Sequence, residues 1–155
     1  LLRIPEAASF IVELYRRFRR YNAAAYTVTQ SLEDFMTEHA RGIVQSTTHF
    51  FLMKLRGEDD RIRDFFDLNP SAMSAFQSLT SRKGEFSEAL AWIMRQDRTE
   101  GGIIRIAPHP LEYWAFTTDA QDMAMRDKFM DKHSGNLQLA LADLAERYPK
   151  GVANT

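Results

Sequence analysis

Three arginines in the first quarter of the chain have a spacing that could serve phosphate chemistry. Arg16, Arg19 and Arg20 stand at positions i, i+3 and i+4, so on a helix their guanidinium groups share one face. A guanidinium donates paired N–H groups to the oxygens of a phosphate or a carboxylate. The pattern therefore favours an anion-binding cluster, but it equally fits a solvated helix end, because cations stabilise the last turn of any helix.

A second candidate is the run Thr29-Gln30-Ser31, which we predict at the C-terminal end of a buried strand. Open α/β sheets place their ligand crevice beyond the carboxyl ends of the strands. A glutamine there can orient a water or contact a phosphate. The alternative interpretation is a polar strand end followed by a helix cap at Ser31.

The glycines of the sequence do not have the spacing of a loop that encloses phosphates. They form neither Gly-x-x-x-x-Gly-Lys-[Ser/Thr] nor Gly-x-Gly-x-x-Gly. The nearest approach to an acidic magnesium ligand after an apolar strand is Asp119, and that residue fits a helix cap better. We therefore expect that this chain alone is not a complete nucleotide-hydrolysing enzyme.

Other catalytic chemistries find little support in the sequence. It contains no cysteine, which excludes disulfides, thiolate metal sites and a cysteine nucleophile. Ser134 follows His133, but neither a Gly-x-Ser-x-Gly elbow nor a third partner accompanies them. Metal-ligand spacing is lacking among the four histidines, which are His39, His49, His109 and His133.

Composition limits the class of protein. With 155 residues and 45% hydrophobic content, the chain suits one domain or one lobe of a larger protein. A net charge of −1 provides no overall field for nucleic acid or an anionic membrane. No apolar run approaches the roughly 20 residues that span a bilayer. The chain opens at Leu1 without an initiator methionine, so we expect a piece of a longer protein.

The predicted elements indicate an α/β fold. The first half reads as helix, strand, helix, strand, and this order predicts a β–α–β crossover with parallel strands. Short connections in the second half predict antiparallel strands that extend the sheet. The predicted helices are 5–22, 31–41, 58–68, 69–79, 119–133 and 136–147, and Gly42 is expected to end the second of them. The predicted strands are 24–29, 48–53, 86–94, 103–107 and 113–117. Turns are predicted at 101–102 and 108–110.

Three runs of the sequence together resemble a known family. They are RRFRRYN at 16–22, AAAYTVTQSLEDFM at 23–36 and GIVQSTTHFFLMK at 42–54. The runs combine an arginine-rich helix end, a strand ending in Thr-Gln and a returning apolar strand. This combination resembles the C-terminal RecA-like domain of the conjugation and type IV secretion ATPases, which are related to the HerA and FtsK translocases. The resemblance extends over nearly the whole chain, but its specific motifs lie within residues 16–54.

The resemblance implies a fold and a site. The fold would be the distal part of a RecA-like P-loop NTPase lobe, with helices on both faces of the sheet. Gln30, beside Thr29, would sense the γ-phosphate, and Arg16, Arg19 and Arg20 would supply the arginine that reaches nucleotide in cis or across a subunit boundary. The phosphate-binding loop and the acidic magnesium motif would lie upstream of Leu1, so ATP and Mg²⁺ would bind the parent protein only.

The resemblance also implies a biological setting. The parent would be a cytoplasmic homo-oligomer, a hexamer, at the cytoplasmic face of the inner membrane. There it would power conjugative DNA transfer, type IV secretion and pilus assembly with other components of the machine. Two alternatives stay open: a non-catalytic interaction module of a secretion or replication complex, docking through helices 119–133 and 136–147, and a DNA-handling domain, against which the near-neutral net charge argues.

Overall fold

The protein is a mixed α/β chain with an open, antiparallel, four-stranded sheet, as seen in a computed structural model. The structure describes residues 4–55, 57–95 and 97–152, except for the side chains of Arg19 and His39. These residues form two compact units. The first contains the chain up to Ser78 together with Leu90–Gly102, and the second contains Leu79–Ala89 together with the chain from Ile103 onward.

The structure confirms the first helix, which the amphipathic pattern of the sequence predicted. Helix α1 spans Pro5–Phe18 and continues as a 3-10 turn at Arg19–Tyr21. Asn22 ends it in the left-handed backbone conformation, with φ at 50°, which asparagine adopts more readily than most residues. Ala8 is fully buried on its inner face.

The predicted strand at 24–29 is wrong, because residues 23–29 adopt neither helix nor strand structure. The exposure of their side chains nevertheless alternates. Tyr26 and Val28 are 88% and 90% exposed, whereas the odd-numbered residues beside them are half-buried. Tyr15 Oη lies 2.5 Å from Thr27 Oγ1, on the covered side. A strand needs a hydrogen-bonded neighbour, and within the described part of the chain none pairs with this segment, so the predicted parallel crossover does not form.

The predicted helix 31–41 is also wrong in its extent. Three short pieces replace it: α2 at Glu33–Met36, a 3-10 turn at Glu38–Ala40 and α3 at Arg41–Ser46. Gly42 lies inside α3 rather than ending a helix, and a Cβ there would come within 2.6 Å of Val12 Cγ1. The glycine therefore serves the close approach of α3 to α1.

Two further helices of the first unit confirm their predictions. Helix α4 spans Asp59–Phe66, and α5 spans Pro70–Ser78. Asn69 caps α5, because its Oδ1 accepts a hydrogen bond from the backbone N–H of Ala72 at 2.9 Å. Phe66 and Phe76 are buried and belong to the core of this unit.

Strand β3 is the centre of the sheet. Strand β1 spans His49–Leu52, β2 spans Ser81–Arg82, β3 spans Phe86–Met94 and β4 spans Thr99–Ile106. Both β1 and β2 run antiparallel to β3, and β4 also pairs with it. The register sets Phe50 opposite Trp92 and Arg82 opposite Phe86. The structure confirms the predicted strands at 48–53 and 86–94.

Strand β4 is longer than predicted, and Gly101-Gly102 belongs to it rather than to a turn. A Cβ at Gly101 would stand 2.3 Å from Cε3 of Trp92, whereas one at Gly102 would meet nothing within 4 Å. The indole of Trp92 is itself buried and donates from Nε1 to the carbonyl oxygen of Phe66 at 3.1 Å. Gly101 therefore makes room for this ring on the strand.

The predicted strand at 113–117 is a helix instead. Helix α6 spans Pro110–Phe116 and begins with a capping box at His109. Glu112 Oε2 accepts the His109 N–H at 2.9 Å, and His109 Nδ1 accepts the Leu111 N–H at 3.3 Å. Proline at the first helical position completes this start signal, which outweighs the β-propensity of the aromatic run that follows.

The last two helices confirm their predicted caps. Helix α7 spans Ala120–Lys132, and Asp119 Oδ1 accepts the N–H groups of Gln121 and Asp122. Helix α8 spans Leu137–Arg147, and Asn136 Oδ1 accepts the Leu139 N–H at 3.1 Å. Trp114, Ala140 and Leu144 are buried and form the core of the second unit.

Candidate functional site

The arginines lie on an open groove in the first unit. Arg16, Arg17 and Arg20 line it together with Ser9, Val12 and Glu13, and its volume is about 630 Å³. All of these residues belong to α1 and its 3-10 extension. The helix has a single turn between Arg16 and Arg20, so their side chains emerge on the same side. The side chain of Arg19 lies outside the described residues.

Cationic groups outnumber acidic ones in this groove. Arg17 forms an ion pair with Glu13, one turn earlier on the helix. Arg16 and Arg20 are exposed, and no described acidic side chain pairs with either of them. Free guanidinium groups beside a neutralised one can bind an oxyanion such as phosphate.

Thr29 and Gln30 do not line the groove. Gln30 is exposed and occupies a bend. Thr29 Oγ1 lies 2.6 Å from Asp34 Oδ2 and accepts the Ser31 N–H at 3.2 Å. Helix α2 starts only at Glu33 and has no side-chain cap, so the predicted cap at Ser31 is wrong and Thr29 organises this turn instead. The structure thus brings the described arginines together but does not add Gln30 to them.

A second candidate site, which the sequence did not indicate, lies in the second unit. It is a cavity of about 330 Å³ beside the β2–β3 turn, whose polar lining includes Arg82, Lys83, Tyr113 and Asp119. Four residues with hydroxyl side chains also line it, namely Ser81, Ser87, Thr117 and Thr118.

Asp122 is the polar centre behind this cavity. Its side chain is fully buried. Oδ2 accepts hydrogen bonds from Tyr113 Oη and, at 3.3 Å, from Thr117 Oγ1, while Oδ1 accepts the Val152 N–H at 2.7 Å. Lys83 Nζ lies 3.1 Å from Oδ2. A buried carboxylate with this many donors is stable in its charged form.

The protonation equilibria follow from these contacts. Burial raises the pKa of Asp122, but the hydrogen bonds from Tyr113 and Val152 and the Lys83 ammonium outweigh it, so the pKa lies below its ordinary value. Burial and the bond to Asp122 raise the pKa of Tyr113. Burial lowers the pKa of Lys83, yet its bonds to Asp119 and Asp122 raise it overall. All three groups therefore keep their ordinary neutral-pH charge states.

The sequence carried only part of the signal for this site. Asp119 was recognisable as a cap, and Asp122 stood three residues later, where an acidic residue merely complements the helix dipole. Its actual partners come from Lys83, 39 positions earlier, and from Val152, 30 positions later. Sequence spacing does not reveal contacts over such separations.

A second charged cluster joins α7 and α8. Three side chains contact the Asp143 carboxylate, with Lys132 Nζ at 2.7 Å, His133 Nε2 at 2.9 Å and Arg147 Nε at 2.5 Å. Hydrogen bonds from Lys132, His133 and Arg147 hold the pKa of Asp143 far below its ordinary value. The cluster ties the two helices together, and its residues line neither the arginine groove nor the cavity beside the β2–β3 turn.

Comparison with family models, curated proteins and solved structures gives no match for this chain. Within the described residues, no helix has both the length and the apolar character needed to cross a bilayer. In the same part of the chain, no group of three or more histidine, aspartate or glutamate side chains is placed to hold a metal ion.

Proposed function

We propose that this chain is the distal part of the RecA-like ATPase domain of a conjugative transfer and type IV secretion motor, and that Arg16 and Arg20 contact nucleotide phosphate in the parent protein. The observation that carries the proposal is the open groove in which these two exposed guanidinium groups have no acidic partner among the described residues. Transfer of a phosphoryl group depends on cations that stabilise the developing charge.

The segment that follows the arginines supports the same proposal. Tyr26 and Val28 are large apolar side chains that stand almost fully exposed on one side of residues 23–29. The alternation of exposure along this segment has the two-residue period of a strand. In the parent domain a neighbouring strand would pair with this backbone, and a layer packed on the sheet would cover Tyr26 and Val28. Gln30 would then lie at the end of a strand, where the proposed role as a phosphate sensor requires it.

The proposal is tested in the longer protein that carries this chain. ATP hydrolysis and ATP binding are measured for Arg16→Ala, Arg20→Ala and Gln30→Ala. We expect at least one arginine variant and Gln30→Ala to lose about 100-fold or more in turnover, with ATP binding largely retained. Arg63→Ala is the matched control, because Arg63 is an exposed arginine on α4 that pairs with Asp60 and Asp64.

Two results would contradict the proposal. One is full turnover in the Arg16→Ala/Arg20→Ala double variant and in Gln30→Ala. The other is a parent sequence that lacks Gly-x-x-x-x-Gly-Lys-[Ser/Thr] upstream of Leu1, since no phosphate-binding loop would then complete the site.

A specific observation favours an interaction module as the second candidate. Phe116 at the end of α6 is 81% exposed, and Leu137 and Leu139 in the first turn of α8 are 51% and 55% exposed. Helices α6 and α8, which carry these side chains, pack against each other, and contiguous exposed apolar surface is typical of protein contacts. Loss of secretion in Leu137→Ser/Leu139→Ser, with ATP turnover unchanged, would support docking through α8.

A further inference from the structure

Residues 148–152 form a segment, here named the strap, that polar contacts hold from three directions. Trp114 Nε1 donates to the carbonyl oxygen of Tyr148 at 2.8 Å, and Lys150 Nζ lies 2.9 Å from Glu85 Oε1. The Val152 N–H donates to Asp122 Oδ1 at 2.7 Å. Helix α6, the β2–β3 turn and helix α7 therefore all anchor the strap.

Two glycines permit the backbone contacts of the strap. A Cβ at Gly84 in the β2–β3 turn would stand 2.0 Å from the carbonyl oxygen of Lys150. A Cβ at Gly151 would stand 2.5 Å from Tyr113 Oη. Both glycines also have positive φ angles, +68° and +83°, which other residues rarely adopt. The strap thus approaches the β2–β3 turn because residue 84 is glycine, and it approaches Tyr113 because residue 151 is glycine.

The strap contributes little to the apolar core. Residues 148–150 are exposed and residues 151 and 152 are half-buried, whereas the side chain of Asp122 is fully buried. A segment with few buried apolar contacts opens locally without global unfolding, since the hydrophobic core of the unit stays intact. Hydrogen bonds and ion pairs are the main contacts of the strap, and one ring contact, between Tyr148 and Phe129 of α7, adds to them.

The strap and the cavity share two side chains. Lys83 lines the cavity, and its Nζ also donates to the Val152 carbonyl oxygen at 3.4 Å. Tyr113 lines the cavity, and its hydroxyl is the group that Gly151 approaches. Displacement of the strap would therefore take the Val152 carbonyl oxygen away from Lys83 and Gly151 away from the Tyr113 hydroxyl.

We propose that the strap is a releasable latch, that the charge of Asp122 holds it closed, and that its release uncovers Lys83 and Tyr113. This inference concerns the second unit only and does not depend on the proposed motor function. An asparagine at position 122 cannot accept from all the present donors, because its NH₂ group would face either Val152 N–H or the Tyr113, Thr117 and Lys83 donors. Asp122→Asn should therefore free the strap.

Trypsin measures the release directly in the 155-residue chain, because the Lys150–Gly151 bond lies within the strap. Mass spectrometry follows cleavage there and at Lys128–Phe129 in α7 as an internal reference. We expect cleavage at Lys150 to be about tenfold faster or more in Asp122→Asn, as local opening governs proteolysis, with cleavage at Lys128 unchanged. Asp143→Asn is the matched control, since Asp143 is a multiply paired carboxylate of the same unit that does not contact the strap.

Unchanged cleavage at Lys150 in Asp122→Asn would overturn the proposal. If that variant also accelerates cleavage at Lys128, α7 itself has been destabilised and two other variants decide. Lys83→Met removes the bond to the Val152 carbonyl oxygen, and Gly84→Ala forces a Cβ against the Lys150 carbonyl group. Selective acceleration at Lys150 in either variant supports the latch, and its absence in both overturns it.

Discussion

The Asp122 carboxylate accepts the backbone N–H of Val152 at 2.7 Å, so a buried side chain in the first turn of α7 holds a segment 30 positions later in the chain. The same carboxylate contacts Lys83 in the β2–β3 turn and Tyr113 in α6. One buried charge thus joins four parts of the second unit. The other three parts supply its donors, so removal of the carboxylate would leave buried donors unpaired, which is costly.

Replacement of Asp122 by alanine should destabilise the second unit strongly. The change leaves Val152 N–H and the Tyr113 hydroxyl without their acceptor and removes the Asp122 carboxylate from Lys83, which keeps its contact with Asp119. We expect the free energy of unfolding to fall by about 2–4 kcal/mol. Urea denaturation followed by circular dichroism measures it, with Asp119→Ala as the comparison, for which loss of a helix cap predicts about 1 kcal/mol. Equal losses in the two variants would contradict the central role of Asp122.

Truncation of two aromatic residues on α6 should lower the stability of the protein to very different extents. Trp114 is fully buried and donates to the Tyr148 carbonyl oxygen, whereas Phe116 is 81% exposed. Trp114→Ala should cost about 3–5 kcal/mol, because it removes a large buried ring and leaves a cavity. Phe116→Ala should change stability by no more than about 0.5 kcal/mol. A large loss in Phe116→Ala would show that its ring is covered in solution.

The adjacent glycines of β4 offer a matched pair in the first unit. Gly101→Ala places a methyl group against the Trp92 indole, which forces a shift in a packed core. We expect a loss of about 1–3 kcal/mol. Gly102→Ala has open space and should be neutral or stabilising by up to about 1 kcal/mol, since alanine lowers the entropy of the unfolded chain. Thermal unfolding of both variants checks the difference, and equal midpoints would argue against the contact between Gly101 and Trp92.

Acid should weaken the tie between α7 and α8. The pKa of Asp143 is lower in the folded protein than its ordinary value of 3.8, so the folded state binds the proton less readily than the unfolded state does. Its contribution to stability is therefore complete above pH 3.8 and is lost progressively as the pH falls below that value. Asp143→Asn should make stability decline less steeply with acid, as measured by urea unfolding from neutral pH downward. Asp127→Asn, at an exposed position of α7, is the control. The prediction would be refuted if the free energy of unfolding of Asp143→Asn and of the unsubstituted chain fell equally with decreasing pH.

Elements with local signals were predictable from the sequence alone. The caps at Asn69, Asp119 and Asn136 start α5, α7 and α8 because a side-chain oxygen satisfies backbone N–H groups only two or three residues away. The apolar run at 86–94 likewise predicted β3. The capping box of α6 was equally local, with His109 and Glu112 three residues apart, but the aromatic run behind it suggested a strand.

Contacts between distant residues were decided by the tertiary structure. Residues 24–29 have strand composition, yet a strand exists only where a neighbour offers hydrogen bonds, and no described strand does so here. The strand position 101 requires glycine because the Trp92 ring occupies the space of a Cβ. Asp122 is a buried polar centre because Lys83 Nζ and the Val152 N–H contact its carboxylate. The sequence by itself determined the starts of α5, α7 and α8 and which residues are apolar, since those properties depend on near neighbours. Only the folded chain decided pairing, close approach and the environment of each charge, because these depend on which distant segments meet.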